Sequence, residues 1–505
     1  MATVSPTTIG VVGAGTMGRG IVQLFVQAGH TVYCHDAQPG AAGKAVEYVD
    51  GMFARAVEKG RMAAADHEGA RHRLKACNTL ADLAGCELVI EAIVEDLAVK
   101  RALFRELEGL LGEQAILASN TSSLTVAEIA SACQRPERVA GLHFFNPVPL
   151  MKVAEVIAAV RTAPAVVRRL SELTEGAGHR AVVTADQPGF LINHAGRGLY
   201  TEGLRLVEER VATPVDVDDV LREALGFRMG PFELLDLTGL DVSSRVMASI
   251  YEQFQQEPRF RPSSLVPPRV AAGLFGRKSG EGWYRYVEGQ QQRPPQRPVP
   301  ALPEALTVWV DPAASGAGGL RGLVAAAGAR LVDGPGNADL CLVMPWGEDA
   351  TGAALRLGLD ATRCAAVDPL TPLALRRTLM LTAVTTAAAR DAAHALLAKD
   401  GTAVTLINDS PGFIAQRVMA TIVNIAANIA QRGIASVADL EDAVRLGLGY
   451  PQGPLGWGDR LGAARLLEVL RAQLAATGDP RYRPSAWLVR RVALGLPLTT
   501  PEAER

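Results

Sequence analysis

The chain has 505 residues, 48% of them hydrophobic, with 51 lysines and arginines against 53 aspartates and glutamates. Such a length allows about three domains with substantial cores, and the absence of a basic surplus argues against nucleic acid as a partner. Six scattered cysteines (Cys34, Cys77, Cys86, Cys133, Cys341, Cys364) form no CxxC pair and no metal-ligand spacing, and no apolar run approaches the ~20 residues of a membrane span. With no leader-like start either, the expectation is a cytoplasmic protein without disulfide, metal or membrane partner.

Taken in order, the β-rich run Thr8–Val12 leads into Gly13-Ala14-Gly15-Thr16-Met17-Gly18, and an amphipathic pattern with Ile21, Leu24, Phe25 and Ala28 on one face follows. Strand, GxGxxG and helix in that order form a dinucleotide cradle. The first glycine permits the tight turn, the second admits a pyrophosphate, and the third lets helix and strand pack closely. A second strand, from Thr31, ends at Asp36, where an acid meets the adenosine ribose 2′-OH and repels a 2′-phosphate, so NAD is expected over NADP. Helical segments fill roughly residues 41 to 60. Lys59 and Arg61 then form a basic patch that is either a solvated face or a contact for a phosphate of a large ligand. Strands at Leu88–Ala92 and Ala115–Ala118 have exit loops at Ile93–Lys100 and Ser119–Ser123. Such loops build the sites of α/β sheets. The hydroxyls and amide of the second loop can bond a substrate oxygen or cap a helix starting near Thr125.

Gly141-Leu-His-Phe-Phe-Asn-Pro-Val-Pro-Leu-Met151 carries the chemistry. If the apolar runs Val139–Phe145 and Met151–Ile157 fold back about Pro149, His143 and Glu155 face each other with Cβ atoms about 5 Å apart. A carboxylate there holds the imidazole in one tautomer and stabilises its protonated form, as general-base chemistry requires. A surface histidine beside an unrelated glutamate is the alternative.

Gly13-x-Gly15-x-x-Gly18, Glu91-Ala-Ile-Val-Glu95, Ser119-Asn-Thr-Ser-Ser-Leu124, His143-Phe-Phe-Asn-Pro-Val-Pro149 and Asp186-x-Pro-Gly-Phe190 together resemble the NAD-dependent L-3-hydroxyacyl-CoA dehydrogenase family, in one register over residues 8 to 286. The resemblance implies a reversible NAD-dependent oxidation of a 3-hydroxyacyl-CoA. His143 is then the base and Glu155 its partner, and Ser122 and Asn193 contact the reacting oxygen. Ile93, Glu95, Lys100, Asn146 and Lys278 line the cofactor and substrate cleft. His194 departs from the arginine more usual after the asparagine. Members with a doubled helical domain resemble the dehydrogenases of phenylacetate catabolism acting on 3-hydroxyadipyl-CoA, and those acting on 3-hydroxybutyryl-CoA. For a diacid tail, Arg197, one helical turn beyond Asn193, is the candidate cation, unless it pairs with Glu202. A dehydrogenase of another hydroxy acid on the same fold would explain the glycines but not the hairpin, and a non-catalytic relative would lack the base or its partner.

From Asp186 long amphipathic helices are expected, one of them carrying Asn193 past Glu208, and the domain closes with Gly276-Arg-Lys-Ser-Gly280. Asp409-Ser-Pro-Gly-Phe413 and Leu448-Gly-Tyr-Pro-Gln-Gly-Pro454 then restate Asp186–Phe190 and Leu225–Pro231, each 223 residues on. One shift shared by two motifs marks a duplicated helical domain. The expected architecture is an α/β Rossmann-type NAD-binding domain followed by all-α 3-hydroxyacyl-CoA dehydrogenase C-terminal domains in tandem. Its parts are the Rossmann domain (1–185), a first helical domain (186–286), a linker (287–303), a small degenerate α/β segment (304–405) without a GxGxxG or HFFNP equivalent, and a degenerate second helical domain (406–505). Gln416 stands where Asn193 would recur, so the second half is read as inert. The tandem copies are expected to pack within one chain, with homo-oligomerisation left open.

Overall fold

The runs Thr8–Val12 (β1), Thr31–His35 (β2), Leu74–Cys77 (β3), Leu88–Glu91 (β4), Ile116–Ser119 (β5), Val139–Phe144 (β6), Val153–Ala158 (β7) and Arg180–Ala185 (β8) pair into one sheet in the computed structural model, which describes residues 6–503. The order is β3-β2-β1-β4-β5-β6-β7-β8, parallel throughout except for the antiparallel β6–β7 pair. Near-continuous apolar strands such as β4, β5 and β6 are what a sheet covered by helices on both faces demands. The helix Thr16–Gln27 supplies part of that cover by burying Ile21, Val22, Leu24 and Phe25. Strand order reverses between β1 and β4, so the loops leaving these two strands lie side by side, where α/β sheets bind ligands.

Two compact units make up the chain. One runs to His194 and also takes in Arg432–Leu448; the other holds Ala195–Gln431 and the residues from Gly449 onward. In the first unit the helix Val437–Gly447, from the far end of the sequence, rests on β8. The Ala185 N–H donates to the Ile434 carbonyl at 2.8 Å, and the Arg180 guanidinium reaches Asp439 at 2.6 Å and Asp442 at 2.9 Å. Half-exposed ion pairs contribute little energy singly, but one planar fork held by two carboxylates fixes the register of the helix.

In the second unit the two helical copies pack on each other. The helices Arg197–Glu208 and Ile414–Gln431 approach so closely that a Cβ on Gly198 would stand 3.0 Å from the Ile422 Cα. Buried Arg417 bridges them, donating to Glu202 at 2.6 Å and Glu209 at 2.8 Å, and these carboxylates, with Tyr482 nearby, hold its guanidinium protonated against the cost of burial. A charge taken out of water in this way is tolerable only when its donors are satisfied.

A second sheet occupies the same unit: Thr307–Val310 (β11), Arg330–Leu331 (β12), Leu340–Val343 (β13), Cys364–Val367 (β14), Arg377–Leu381 (β15) and Val404–Ile407 (β16), ordered β12-β11-β13-β14-β15-β16. It repeats the single antiparallel pair of the first sheet, here β14–β15. It also repeats the helix docking, because the Asn408 N–H donates to the Val211 carbonyl at 2.9 Å beside the helix Pro214–Leu225, whose Glu223 takes Arg376 at 2.8 Å. Ala185 and Asn408, like Val211 and Ile434, lie 223 residues apart. Each helical copy therefore lends a helix to the sheet of the other copy.

Three expectations are corrected. The helix carrying Asn193 is interrupted at Gly196, giving Ile192–Ala195 and Arg197–Glu208. The stretch 287–303 is no free linker at its start: Arg285–Val287 (β9) and Gln290–Gln292 (β10) form a hairpin, and Arg293 and Gln296 bind Asp219 at 2.7 and 3.0 Å. Its polar residues, read as solvated, are used as straps. The segment 304–405 does contain a counterpart of the HFFNP hairpin, described below. Removing residues 304–505 takes away the helix on β8 and the helix against Arg197–Glu208. The truncated chain is expected to aggregate or dimerise through the bared apolar faces in size-exclusion chromatography, and a stable monomer would contradict that packing.

Candidate active site

The β6–β7 hairpin opposes His143 to Glu155 in register. His143 Nδ1 lies 2.6 Å from Glu155 Oε2, and the two residues are 5% and 0% exposed. The other carboxylate oxygen, Oε1, accepts from the Leu191 N–H at 2.9 Å and the Ile192 N–H at 2.7 Å. The turn after Asp186 delivers these donors, with Gly189 and Phe190 both left-handed (φ 72° and 50°). A left-handed phenylalanine is strained. Here it puts the Phe190 ring 5.8 Å from the imidazole, while Phe145 stands 4.5 Å away on the ring. With Nδ1 committed to the carboxylate, Nε2 is the nitrogen left to exchange a proton. Asn120 fixes the end of β6, its Oδ1 accepting from the Phe144 N–H at 2.8 Å.

Next to the hairpin, the loops leaving β4 and β5 are tied by a charge cluster built on the buried pair Glu91 and Lys100. Lys100 Nζ, only 1% exposed, donates to Glu91 Oε1 at 2.5 Å and sits 3.3 Å from Glu95; Glu91 also accepts from Ser119 Oγ and the Ile93 N–H, both at 2.7 Å. Glu95 Oε1 gathers Thr121 Oγ1 at 2.7 Å, the Ser122 and Ser123 N–H groups at 3.0 Å, and Ser123 Oγ at 2.9 Å. Burial pushes its carboxyl up, but these donors and the Lys100 charge outweigh burial and hold it below the usual range. The backbone of Ser122 is thus fixed while the residue stays exposed.

Asp186, whose motif was read as a family marker and the opening of the helical domain, caps the helix Val126–Ala130 through the Val126 and Ala127 N–H groups at 3.0 and 2.7 Å. Capping by the hydroxyls and amide of the preceding loop was one of two alternatives; the N-cap residue Thr125 itself makes no side-chain cap bond. Sequence reasoning quoted Glu91 only within a motif and gave it no role of its own. A carboxylate ending the apolar run Leu88-Val-Ile-Glu91 was the available signal.

The glycine loop suits a dinucleotide. At Gly13 (φ 107°) a Cβ would meet the Ala92 carbonyl oxygen at 2.4 Å, and at Gly18 it would meet the Gly13 oxygen at 1.7 Å, whereas nothing lies within 4 Å of one on Gly15. The loop is therefore closed against its own fold and open at the middle glycine; Thr16 starts the helix that follows, and Ala14 and Met17 pack partly buried against the core. Asp36 follows β2 and braces the loop, accepting from the Ala14 N–H at 2.7 Å. Asn146 is exposed at the hairpin tip, and Lys59 is exposed where the helix Ala41–Glu58 ends.

Lys278 and Arg197 belong to the other unit. Lys278 pairs with Asp241 at 2.5 Å, and Arg197 is buried with its guanidinium 4.8 Å from the Tyr200 ring. Glu202 is held by Arg417 at 2.6 Å. His194 is buried.

The second sheet shows what became of the duplicate. Ala366 opposes Met380 in β14–β15 as Gly141 opposes Ile157, so Asp368-Pro-Leu-Thr-Pro372 occupies the place of His143-Phe-Phe-Asn-Pro147 and Thr378 that of Glu155. Gln416 Nε2 donates to Asp368 Oδ1 at 3.0 Å, and burial pushes the Asp368 carboxyl up to about 6. No imidazole is present there. Asp409 still caps its helix at the Ala350 N–H, 2.8 Å away, as Asp186 does in the first half.

Replacing Lys100 by methionine leaves Glu91 and Glu95 without their buried cation. Stability in urea is expected to fall by about 3–5 kcal/mol, the usual cost of breaking a buried pair, and a loss below about 1 kcal/mol, as for an exposed pair, would contradict the burial of this charge.

Comparison with known proteins agrees with this geometry. The NAD binding domain of 3-hydroxyacyl-CoA dehydrogenase matches residues 8–187, and the C-terminal domain of 3-hydroxyacyl-CoA dehydrogenase matches twice, over residues 189–286 and 412–501. The chain is 37% identical to 3-hydroxyadipyl-CoA dehydrogenase of Escherichia coli (strain K12) over 96% of its own length and 98% of that protein. It is 38% identical to the probable 3-hydroxybutyryl-CoA dehydrogenase of Bacillus subtilis over 55% of its own length and 96% of that protein. The crystal structure of 3-hydroxybutyryl-CoA dehydrogenase from Escherichia coli K12 superposes with a TM-score of 0.86 at 35% identity, covering 97% of this chain and 99% of that one. With both family domains matched in order and the second of them duplicated, the chain belongs to the NAD-dependent 3-hydroxyacyl-CoA dehydrogenase family.

Proposed function

We propose that His143 is the general base of this dehydrogenase, that Glu155 orients and charges it, and that the substrate is a short 3-hydroxyacyl-CoA, with 3-hydroxyadipyl-CoA favoured over 3-hydroxybutyryl-CoA. The buried 2.6 Å contact of His143 Nδ1 with Glu155 carries the reading. It leaves Nε2 to take the proton of the 3-hydroxyl, and in the reverse direction the imidazolium returns that proton to the forming alkoxide. NAD⁺, when bound, accepts the hydride from C3. Ser122 and Asn193 donate to oxygens of the substrate, where preorganised donors act most strongly as charge develops. Asp36 binds the adenosine ribose, Gly13 to Gly18 face the pyrophosphate, and Ile93, Glu95 and Asn146 rim the nicotinamide side. Lys100 acts through Glu95 and Glu91 and touches no ligand itself. Lys59 meets a phosphate of coenzyme A, and Lys278 matches a cofactor-contact position of the family.

The diacid preference is supported by the name of the Escherichia coli relative that matches nearly end to end; Arg197, four residues after Asn193 in the sequence, is its candidate cation. We assign the enzyme to phenylacetate catabolism in the cytoplasm, a reducing compartment that suits its six free cysteines. Gln416 and Asp368 have no share in the chemistry.

In the His143→Gln variant kcat is expected to fall by roughly 10²-fold or more while NADH affinity is unchanged. Glu155→Gln should slow turnover and change the pH dependence of oxidation. Normal rates in both variants, followed at the NADH absorbance band, would remove the hairpin from the chemistry. For the tail, kcat/KM on hydroxyadipyl-CoA and hydroxybutyryl-CoA should be compared in wild type and Arg197→Met. A selective loss of about 1.5–3 kcal/mol on the diacid is expected, the value of a hydrogen bond to a charged group. Equal losses on both substrates, or none, would take Arg197 out of the pocket.

A further inference from the structure

The glycine that ends the helix Val437–Gly447 has ordinary helical backbone and is not among the left-handed glycines. A helical glycine costs roughly 0.5–1 kcal/mol relative to alanine, so something other than backbone freedom accounts for it. A Cβ there would stand 2.5 Å from Ile192 Cδ1, 3.1 Å from Cγ1 and 3.2 Å from Cγ2. Ile192 is itself fully enclosed, and its N–H is one of the two that hold Glu155 Oε1. The helix is not free to slide away, being pinned by Arg180 to Asp439 and Asp442 and by the Ala185–Ile434 backbone bond.

We propose that Gly447 is a positioning residue for the base. The second helical copy presses its bare helix end against Ile192, which seats the Leu191 and Ile192 N–H groups on Glu155, which in turn holds His143. This rests on the assignment of His143 and Glu155 as base and partner. At the same 223-residue spacing the other half has Ala415 in place of Ile192 and Ala224 in place of Gly447. There no base has to be held, and the interlocking large and small pair is absent. A duplicate that lost its own chemistry thus takes part in that of the first copy. A displacement of about 1 Å in such a chain of contacts is enough to cost up to 10²-fold in rate.

The test compares kcat and its pH profile in wild type, Gly447→Ala and Gly447→Ala/Ile192→Val, with His143→Gln as control. Gly447→Ala is expected to lower kcat about tenfold, to leave KM for NAD⁺ unchanged, and to change the pH profile of oxidation in the same sense as Glu155→Gln. Removing Cδ1 through Ile192→Val should restore both the rate and the profile. A wild-type rate and profile in Gly447→Ala, or a loss with an unmoved profile and no rescue, would overturn the proposal. If Gly447→Ala does not fold, Ile192→Ala carries the test by removing the contact from the other side, and an unmoved pH profile in that variant overturns the proposal equally. A crippled His143→Gln beside a normal Gly447→Ala refutes this inference alone, whereas a normal His143→Gln refutes the assignment of the base.

Discussion

A carboxylate with no access to water has to find donors for both oxygens or become neutral, and Glu155 is such a group. Its two oxygens take one imidazole nitrogen and two backbone N–H groups. Each partner constrains a different part of the chain. The imidazole requires the antiparallel hairpin to close in the register that opposes His143 and Glu155, and the backbone donors require the chain beyond β8 to return to β7 through the left-handed pair Gly189 and Phe190. The need to satisfy one buried carboxylate therefore shapes the chain where it leaves the sheet.

A second buried cluster does comparable work beside the glycine loop. Glu91, Lys100 and Glu95 hold the exits of β4 and β5 together, and with them the backbone of Ser122. Neither cluster is a cheap source of stability, since desolvating charges offsets much of what their attraction contributes. Their value is geometric: a satisfied charge in a dry site has one arrangement and resists the alternatives.

The duplication shows how such constraints lapse. Where His143 gives way to Asp368 and Glu155 to Thr378, the hairpin register and the capping aspartate persist, because packing still depends on them. The glycine loop and the imidazole do not persist. What the second half keeps is structural: Arg417 at the contact of the helical copies and the helix laid on β8. The two docked helices are tied by unrelated residues, Arg180 in one case and Arg376 in the other. The shared feature is the backbone bond at the end of the sheet, 223 residues apart in the two halves.

Much of this was legible in the residues themselves. The glycine spacing, the strand ending at Asp36 and the symmetric placement of His143 and Glu155 about Pro149 are local patterns, and local geometry determines them: a turn that needs a glycine, a helix terminus, a two-residue period. The repeat was legible because two motifs shared one shift. Other features were decided only in three dimensions, where partners meet across long stretches of sequence. Glu155 is held by residues some 36 positions away, Asp186 caps a helix 60 positions before it, and Gly447 meets Ile192 from the other end of the chain. Composition made residues 287–303 look like a linker, and only the folded chain supplied Asp219 for its polar side chains to bind. The strand pairing that aligns Asp368 with His143 left no trace in residue identity, because a sheet register depends on which faces are buried and not on the chemistry its side chains once performed.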